Sequence, residues 1–370
     1  MGLIKNKMYY TYTDVTILPG IISDIEHRKE CIPFDENGML PLFTAPMDTV
    51  VDENNFELFI NEMIYAILPR TVAFDIRVSY SIKNRWAAYS LTEFEKTFCD
   101  ETNKLDESNG IKALIDIANG HMKKVLDLVR VSKNIYGNKI TLMVGNIANP
   151  YTFERLSNAG ADYIRCGIGS GCGCLSTSNT GIHMPMVSLI DEIARLKQEE
   201  ELTAKIIADG GIRNYSDIIK AIAVGADYVM VGSVFAKMIE SAAPKRSNSD
   251  EWYALQPNVK FNELKNISKL GRDWYGEYNG KRIFLGDLSL TFYGMASMEG
   301  QIALNGAKTK TSEGTRKTLL VEYTMHGWCM NFIDYLRSAM SYVGVKTLDD
   351  FRRESVVIIN SPNAVSAVNK

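Results

Sequence analysis

The segment Cys166–Pro185, CGIGSGCGCLSTSNTGIHMP, concentrates residues able to do chemistry, with four glycines and three cysteines between Cys166 and Cys174. Glycines let backbone approach a ligand, and a thiol on such a loop can serve as a nucleophile once ionised. Cys166 continues the apolar run that begins at Ala161 and reads as structural, which leaves Cys172 and Cys174 as the reactive pair. The competing reading is a zinc site of Cys166, Cys172, Cys174 and His183. Its C-x5-C-x-C-x8-H spacing lacks the paired C-x2-C of common structural sites.

Two further turns carry chemical potential. Asp209-Gly210-Gly211 and Gly232-Ser233 each follow an apolar run and precede a helical pattern, so their backbone amides suit a phosphate. Asp209 is placed to accept hydrogen bonds from ribose hydroxyls. The bland alternative is a tight strand-to-helix turn in each case.

The elements that must position these residues alternate. Short apolar runs at 41–46, 64–69, 112–117, 140–144, 163–167, 204–208 and 228–231 read as strands, with a weak one at Lys96-Thr97-Phe98-Cys99. Helical patterns fall between them at 54–62, 79–90, 122–136, 150–159, 186–200 and 215–224. Eight strands alternating with helices predict an α/β fold, a (β/α)8 TIM barrel whose active site lies on the loops after the strands and whose phosphate site follows strands seven and eight. Both glycine turns fall there. Residues 1–245 are assigned to the barrel with an N-terminal extension. Residues 246–320, rich in Asn, Gly and Lys with Trp252, Trp274 and an alternating Lys281–Leu285, form an inserted lid or flap over the barrel mouth. Residues 321–370 supply a closing helix at Phe332–Tyr342 and a tail without strong pattern.

Charge and cysteine usage exclude some partners. A net charge of -3 leaves no footprint for nucleic acid or an anionic membrane, so the expected partner is a small molecule. Six cysteines, three of them in one loop, do not make a disulfide framework, and no apolar run approaches a transmembrane length. A cytoplasmic protein is expected.

The order TDVTILP, APMDTV, DIANGH, GNIANP, the glycine-cysteine loop, IIADGGI, GADYVMVGS, FYGMAS and SEG resembles the IMP dehydrogenase and GMP reductase family along nearly the whole chain. That resemblance implies a purine nucleoside 5′-monophosphate as substrate, a cysteine that attacks carbon 2 of the purine, and a nicotinamide cofactor, NADPH, against the base. Laying the family's loop on Gly167–Ser176 puts its cysteine on Cys174, with Cys172 two residues away where serine is usual. It implies that Ser176 and Glu313 handle protons, although a solvated surface carboxylate is the alternative for Glu313. It places Asp209, Gly210, Gly211, Gly232, Ser233, Tyr293, Gly294, Met295, Ser170 and Met47 around the nucleotide. Asp116, Ala118, Asn119, Arg70, Ser312 and Gly314 fall near the cofactor. A potassium ion on the carbonyls of Gly167, Gly169 and Cys174, and a homotetramer, are likewise implied.

Asp116–Gly120 and the FYGM and SEG segments resemble the reductases. The stretch Thr71–Asn109 is too short for the regulatory CBS pair of the dehydrogenases, and no Arg-Tyr pair stands between Met295 and Glu313. APMD at Ala45–Asp48 is the dehydrogenase spelling, and Leu68-Pro69-Arg70 replaces a basic stretch of the reductases. The expected activity is reduction of GMP to IMP and ammonia. An IMP dehydrogenase lacking CBS domains, a reductase of a modified purine nucleotide, and an inactive nucleotide-binding protein are the alternatives.

Overall fold

The computed structural model describes residues 7–100, 102, 105–247, 263–270, 273–278, 281–309 and 311–368. Strand β1 is Val15–Leu18, and the next eight are β2 (Leu42–Thr44), β3 (Ile67–Leu68), β4 (Trp86–Tyr89), β5 (Ile111–Asp116), β6 (Ile140–Ile147), β7 (Tyr163–Cys166), β8 (Lys205–Asp209) and β9 (Tyr228–Val231). β2 through β9 form one parallel sheet in the order β2-β9-β8-β7-β6-β5-β4-β3. The two ends meet where the Thr44 N–H donates to the Tyr65 carbonyl at 2.9 Å and the Tyr65 N–H to the Leu42 carbonyl at 3.0 Å. The sheet is therefore a closed (β/α)8 barrel.

Its strands are nearly continuous apolar runs because both faces are covered. Phe43, Ile67, Trp86, Leu114, Met143, Ile207, Tyr228 and Met230 fill the interior, and a larger apolar cluster lies between the sheet and the helices. Phe43 stacks on Tyr65 at 4.8 Å between ring centroids, and Trp86 meets Tyr163 edge-on at 5.4 Å.

The third barrel strand differs from expectation. The weak strand at Lys96–Cys99 is instead the end of a helix, Leu91–Phe98, and the expected helix 79–90 divides into a helix Phe74–Ser81 and strand β4. Ser90 accepts from the Glu93 N–H at 3.3 Å while the Glu93 carboxylate accepts from the Ser90 N–H at 2.8 Å, a capping box that starts a helix there. Trp86-Ala87-Ala88-Tyr89 is fully buried, so packing overrides the helical propensity of its alanines.

Beyond the barrel, β10 (Lys245–Ser247), β14 (Leu288–Tyr293) and β15 (Arg316–Leu320) form one antiparallel sheet. A second consists of β11 (Lys265–Leu270), β12 (Asp273–Tyr278) and β13 (Lys281–Phe284). The alternating segment at 281–285 thus falls on β13, Trp274 lies in β12, and Trp252 lies outside the described residues. The closing helix is longer than expected, Met325–Val343, with Thr324 accepting from the Gly327 N–H at its start. The tail contains β16 (Val356–Ile359), which pairs antiparallel with β1. No described helix is long and apolar enough to cross a membrane.

Candidate active site

The loop after β7 needs glycine to fold as it does. Gly169 has φ +77°, and a Cβ there would fall 1.8 Å from Thr177 Oγ1. At the far end of the turn, partly buried Cys174 donates to Ser176 Oγ at 3.3 Å, and Ser176 donates to Glu313 Oε2 at 3.0 Å. Glu313 is brought from the segment after the barrel by main-chain bonds: the Leu175 N–H donates to the Glu313 carbonyl at 2.7 Å and the Thr315 N–H to the Gly173 carbonyl at 2.9 Å. The approach leaves no room for side chains, since a Cβ on Gly294 would stand 2.6 Å from the Gly173 carbonyl. A thiol, a hydroxyl and a carboxylate thus form a continuous hydrogen-bonded run. Ser312 Oγ donates to the Gly314 carbonyl at 3.0 Å beside it.

The other loop cysteines have different surroundings. Cys172 is exposed and its Sγ accepts from Lys317 Nζ at 3.4 Å. Cys166 is buried and donates to the Ile164 carbonyl, and burial pushes its thiol well above the ordinary value. His183 Nδ1 sits 2.8 Å from the Ile168 carbonyl. Among the described residues no three His, Cys, Asp or Glu side chains converge as a metal site requires, so the zinc reading finds no set of ligands.

A second cluster crosses the mouth. Arg165, at the end of β7 and 7% exposed, binds Asp116 Oδ1 at 2.6 Å and Asp209 Oδ2 at 2.8 Å. Burial works against its charge, but the two carboxylates outweigh burial and hold the guanidinium above its ordinary pKa. Asn146 Nδ2 donates to the same Asp209 oxygen at 2.6 Å. All of these bonds to Asp209 fall on Oδ2, which leaves Oδ1 for a ligand hydroxyl. Arg165 and Asn146 were not anticipated, yet an arginine inside an apolar strand is itself a signal, because buried guanidinium groups need carboxylates.

The phosphate-type turns gather on a third side. The Gly211 N–H donates to the Ser170 carbonyl at 2.9 Å, and a Cβ on Gly210 would meet Ser170 Oγ at 2.9 Å, so the Asp209 turn packs on the cysteine loop. Gly232 faces Met47, whose sulfur would lie 3.5 Å from a Cβ at that position, and Ser233 opens the helix Ser233–Ala236. Tyr293 at the end of β14 donates to Asp48 Oδ2 at 2.7 Å, and Gly294 and Met295 follow it. Burial raises the Asp48 carboxyl against the pull of the Tyr293 hydroxyl and nearby amides, and burial followed by Asp48 raises the Tyr293 phenol.

The cofactor-side residues are joined less tightly. Arg70 Nη1 reaches the Asp116 carbonyl at 3.4 Å. Asn119 accepts from the His121 N–H at 3.2 Å, and no described bond ties Ala118 or Asn119 to the other site residues. Of the seven buried side-chain polar atoms without a partner among the described residues, five belong to loops at the mouth: Asp48 Oδ1, Thr49 Oγ1, Arg70 Nε, Ser170 Oγ and Thr315 Oγ1. Buried polar atoms are normally satisfied, so this concentration fits a polar, hydrogen-bonding ligand such as a nucleotide with its cofactor. For a potassium ion the fit is poorer, because the Gly167 carbonyl already accepts from Asn146 Nδ2 at 2.9 Å.

Fold and site together define a (β/α)8 barrel whose reactive side chains gather at the C-terminal ends of its strands, where such barrels carry their active sites. Residues 88–253 match the family described as IMP dehydrogenase / GMP reductase domain. The chain is 27% identical to the GMP reductase of Caenorhabditis elegans over 97% of its own length and 94% of that protein. It is 30% identical to the GMP reductase of Clostridium acetobutylicum over 73% of the chain and 84% of that relative. It is 33% identical to the inosine-5′-monophosphate dehydrogenase of Chlorobaculum tepidum over 65% of the chain but only 43% of that protein. The chain belongs to the IMP dehydrogenase/GMP reductase family of oxidoreductases.

Proposed function

We propose that this enzyme reduces GMP to IMP and ammonia with NADPH, through a covalent bond between Cys174 and carbon 2 of the purine. The observation that carries the reading is the run from Cys174 through Ser176 to Glu313, which can move a proton between the nucleophile and a departing amine. Cys174 adds to carbon 2 and its proton passes through Ser176 to the Glu313 carboxylate. The proton then returns to the 2-amino group, which leaves as ammonia and gives a thioimidate on Cys174. The nicotinamide, when bound, supplies the hydride that converts carbon 2 to the C–H of IMP. Release of the product breaks the carbon–sulfur bond and restores the thiol.

The barrel's part is binding. Asp209 Oδ1 accepts from the ribose, and Ser170, Gly211, Gly232, Ser233 and Tyr293 surround the phosphate. Arg165 keeps Asp209 and Asp116 in place, while Asp116 and Arg70 border the base and nicotinamide. Ser312 and Gly314 complete the wall on the Glu313 side. No step is routed through a monovalent cation on Gly167, Gly169 and Cys174.

The test is direct: the protein is incubated with GMP and NADPH and, separately, with IMP and NAD. Oxidation of NADPH with release of IMP is expected. NADH formation from IMP would replace this reading with the dehydrogenase, and no turnover of either nucleotide by protein that still binds GMP would leave an inactive binding protein. The homotetramer and cytoplasmic location belong to the same reading. Sedimentation and cell fractionation test them.

A further inference from the structure

The cysteine loop carries a second thiol that the proposed chemistry does not use. Cys172 stands two positions before Cys174, but it is exposed where Cys174 is partly buried, and it is absent from the run to Glu313. Its described partner is Lys317 Nζ at 3.4 Å. Lys317 lies on β15 directly across from Phe292, and the Phe292 ring edge would stand 3.3 Å from a Cβ on Gly173. The ammonium is thus held over the Gly171-Cys172-Gly173 turn by the same pairing that delivers Glu313 to Ser176. An accessible sulfur beside a fixed cation attracts reagents that bring a negative charge with them.

We propose that Cys172 is a modification site for anionic low-molecular-weight disulfides of the glutathione class, with Lys317 as the group that selects for the anion. The step is thiol–disulfide exchange: the Cys172 sulfur attacks one reagent sulfur, the reagent's S–S bond breaks, a new S–S bond joins Cys172 to one half, and the other half leaves as a thiol carrying the Cys172 proton. No further oxidant is needed. An adduct on Cys172 stands at the mouth beside Cys174 and Glu313, so it blocks the site and is removed by dithiothreitol. This last consequence rests on the function proposed above, whereas the adduct itself does not.

The experiment treats the whole protein, at one pH, with glutathione disulfide and separately with the dicationic disulfide cystamine. Peptide mass spectrometry then locates and times the adducts. Glutathione is expected on Cys172 before Cys174, and Lys317→Gln is expected to shift the glutathione-to-cystamine rate ratio about tenfold toward cystamine, while Lys317→Arg keeps the wild-type ratio. An adduct confined to Cys174, or a ratio unmoved by Lys317→Gln, overturns the proposal. Because adducts are read by mass, this result stands apart from the GMP and NADPH assay, whose failure would instead remove the proposed function.

Discussion

The barrel and the segment that follows it contribute to the mouth in different ways. The barrel presents groups from strand ends that are fixed by burial and ion pairing, with Arg165 between Asp116 and Asp209 as the centre. The segment from β14 to β15 presents groups on short antiparallel strands that touch the barrel through main-chain bonds at Gly173, Leu175 and Thr315. From it come Glu313 for Cys174 and Lys317 for Cys172. Two cysteines on one loop are thus given different characters by what the second region lays against them. The barrel holds the ligand, and the segment decides what each thiol does.

The largest expected effect tests whether that division of the thiols is real. Cys174→Ala should lower GMP turnover by about ten-thousandfold or more, as loss of a covalent nucleophile does, whereas Cys172→Ala should cost less than about tenfold. Equal losses in steady-state assays would erase the distinction. Next in size is Glu313→Gln, which keeps the bond geometry but removes the proton acceptor. A fall of about a thousandfold in kcat with KM for GMP nearly unchanged is expected, within the range of general acid–base catalysis. A rise in KM with kcat preserved would mean that the segment binds substrate and does not handle protons.

These assignments were unevenly legible in the sequence. Seven of the strands announced themselves as apolar runs, because a parallel sheet covered on both faces has little alternative. The remaining one, Trp86–Tyr89, did not, since two alanines between aromatics suit a helix until the capping box at Ser90 is seen to start one further on. The cysteine loop and the glycine turns stood out by composition. Glu313 did not, for it lies 137 residues from Ser176 in a stretch with no periodicity, and only resemblance pointed to it. Arg165 was readable as a charge within a buried strand, but the two carboxylates it joins come from other strands and no spacing links them.

Arg165 supplies the barrel side of the comparison. Arg165→Met leaves Asp116 and Asp209 largely buried without their counter-charge, and removing one partner of such a group destabilises by about 3–5 kcal/mol. Chemical denaturation at neutral pH measures it. If stability holds and kcat alone falls, the guanidinium takes part in the reaction and does not act as the brace of the binding groups.

The smallest effect concerns the one described side-chain bond between Tyr293 and Asp48, where the two regions meet. Tyr293→Phe removes a donor from a carboxyl that burial already holds above its ordinary pKa, so the folded-state pKa rises further. A carboxyl raised in this way contributes stability below its unfolded pKa and loses it as pH climbs through the folded one. The variant should therefore be less stable than the parent by about 1–3 kcal/mol near neutral pH, and the gap should close as pH falls below the ordinary aspartate range. Denaturant midpoints across pH 3 to 8 check the trend. A gap that stays constant with pH would mean that Asp48 is not the partner through which Tyr293 acts, and the junction between barrel and segment would then rest on main-chain bonds alone.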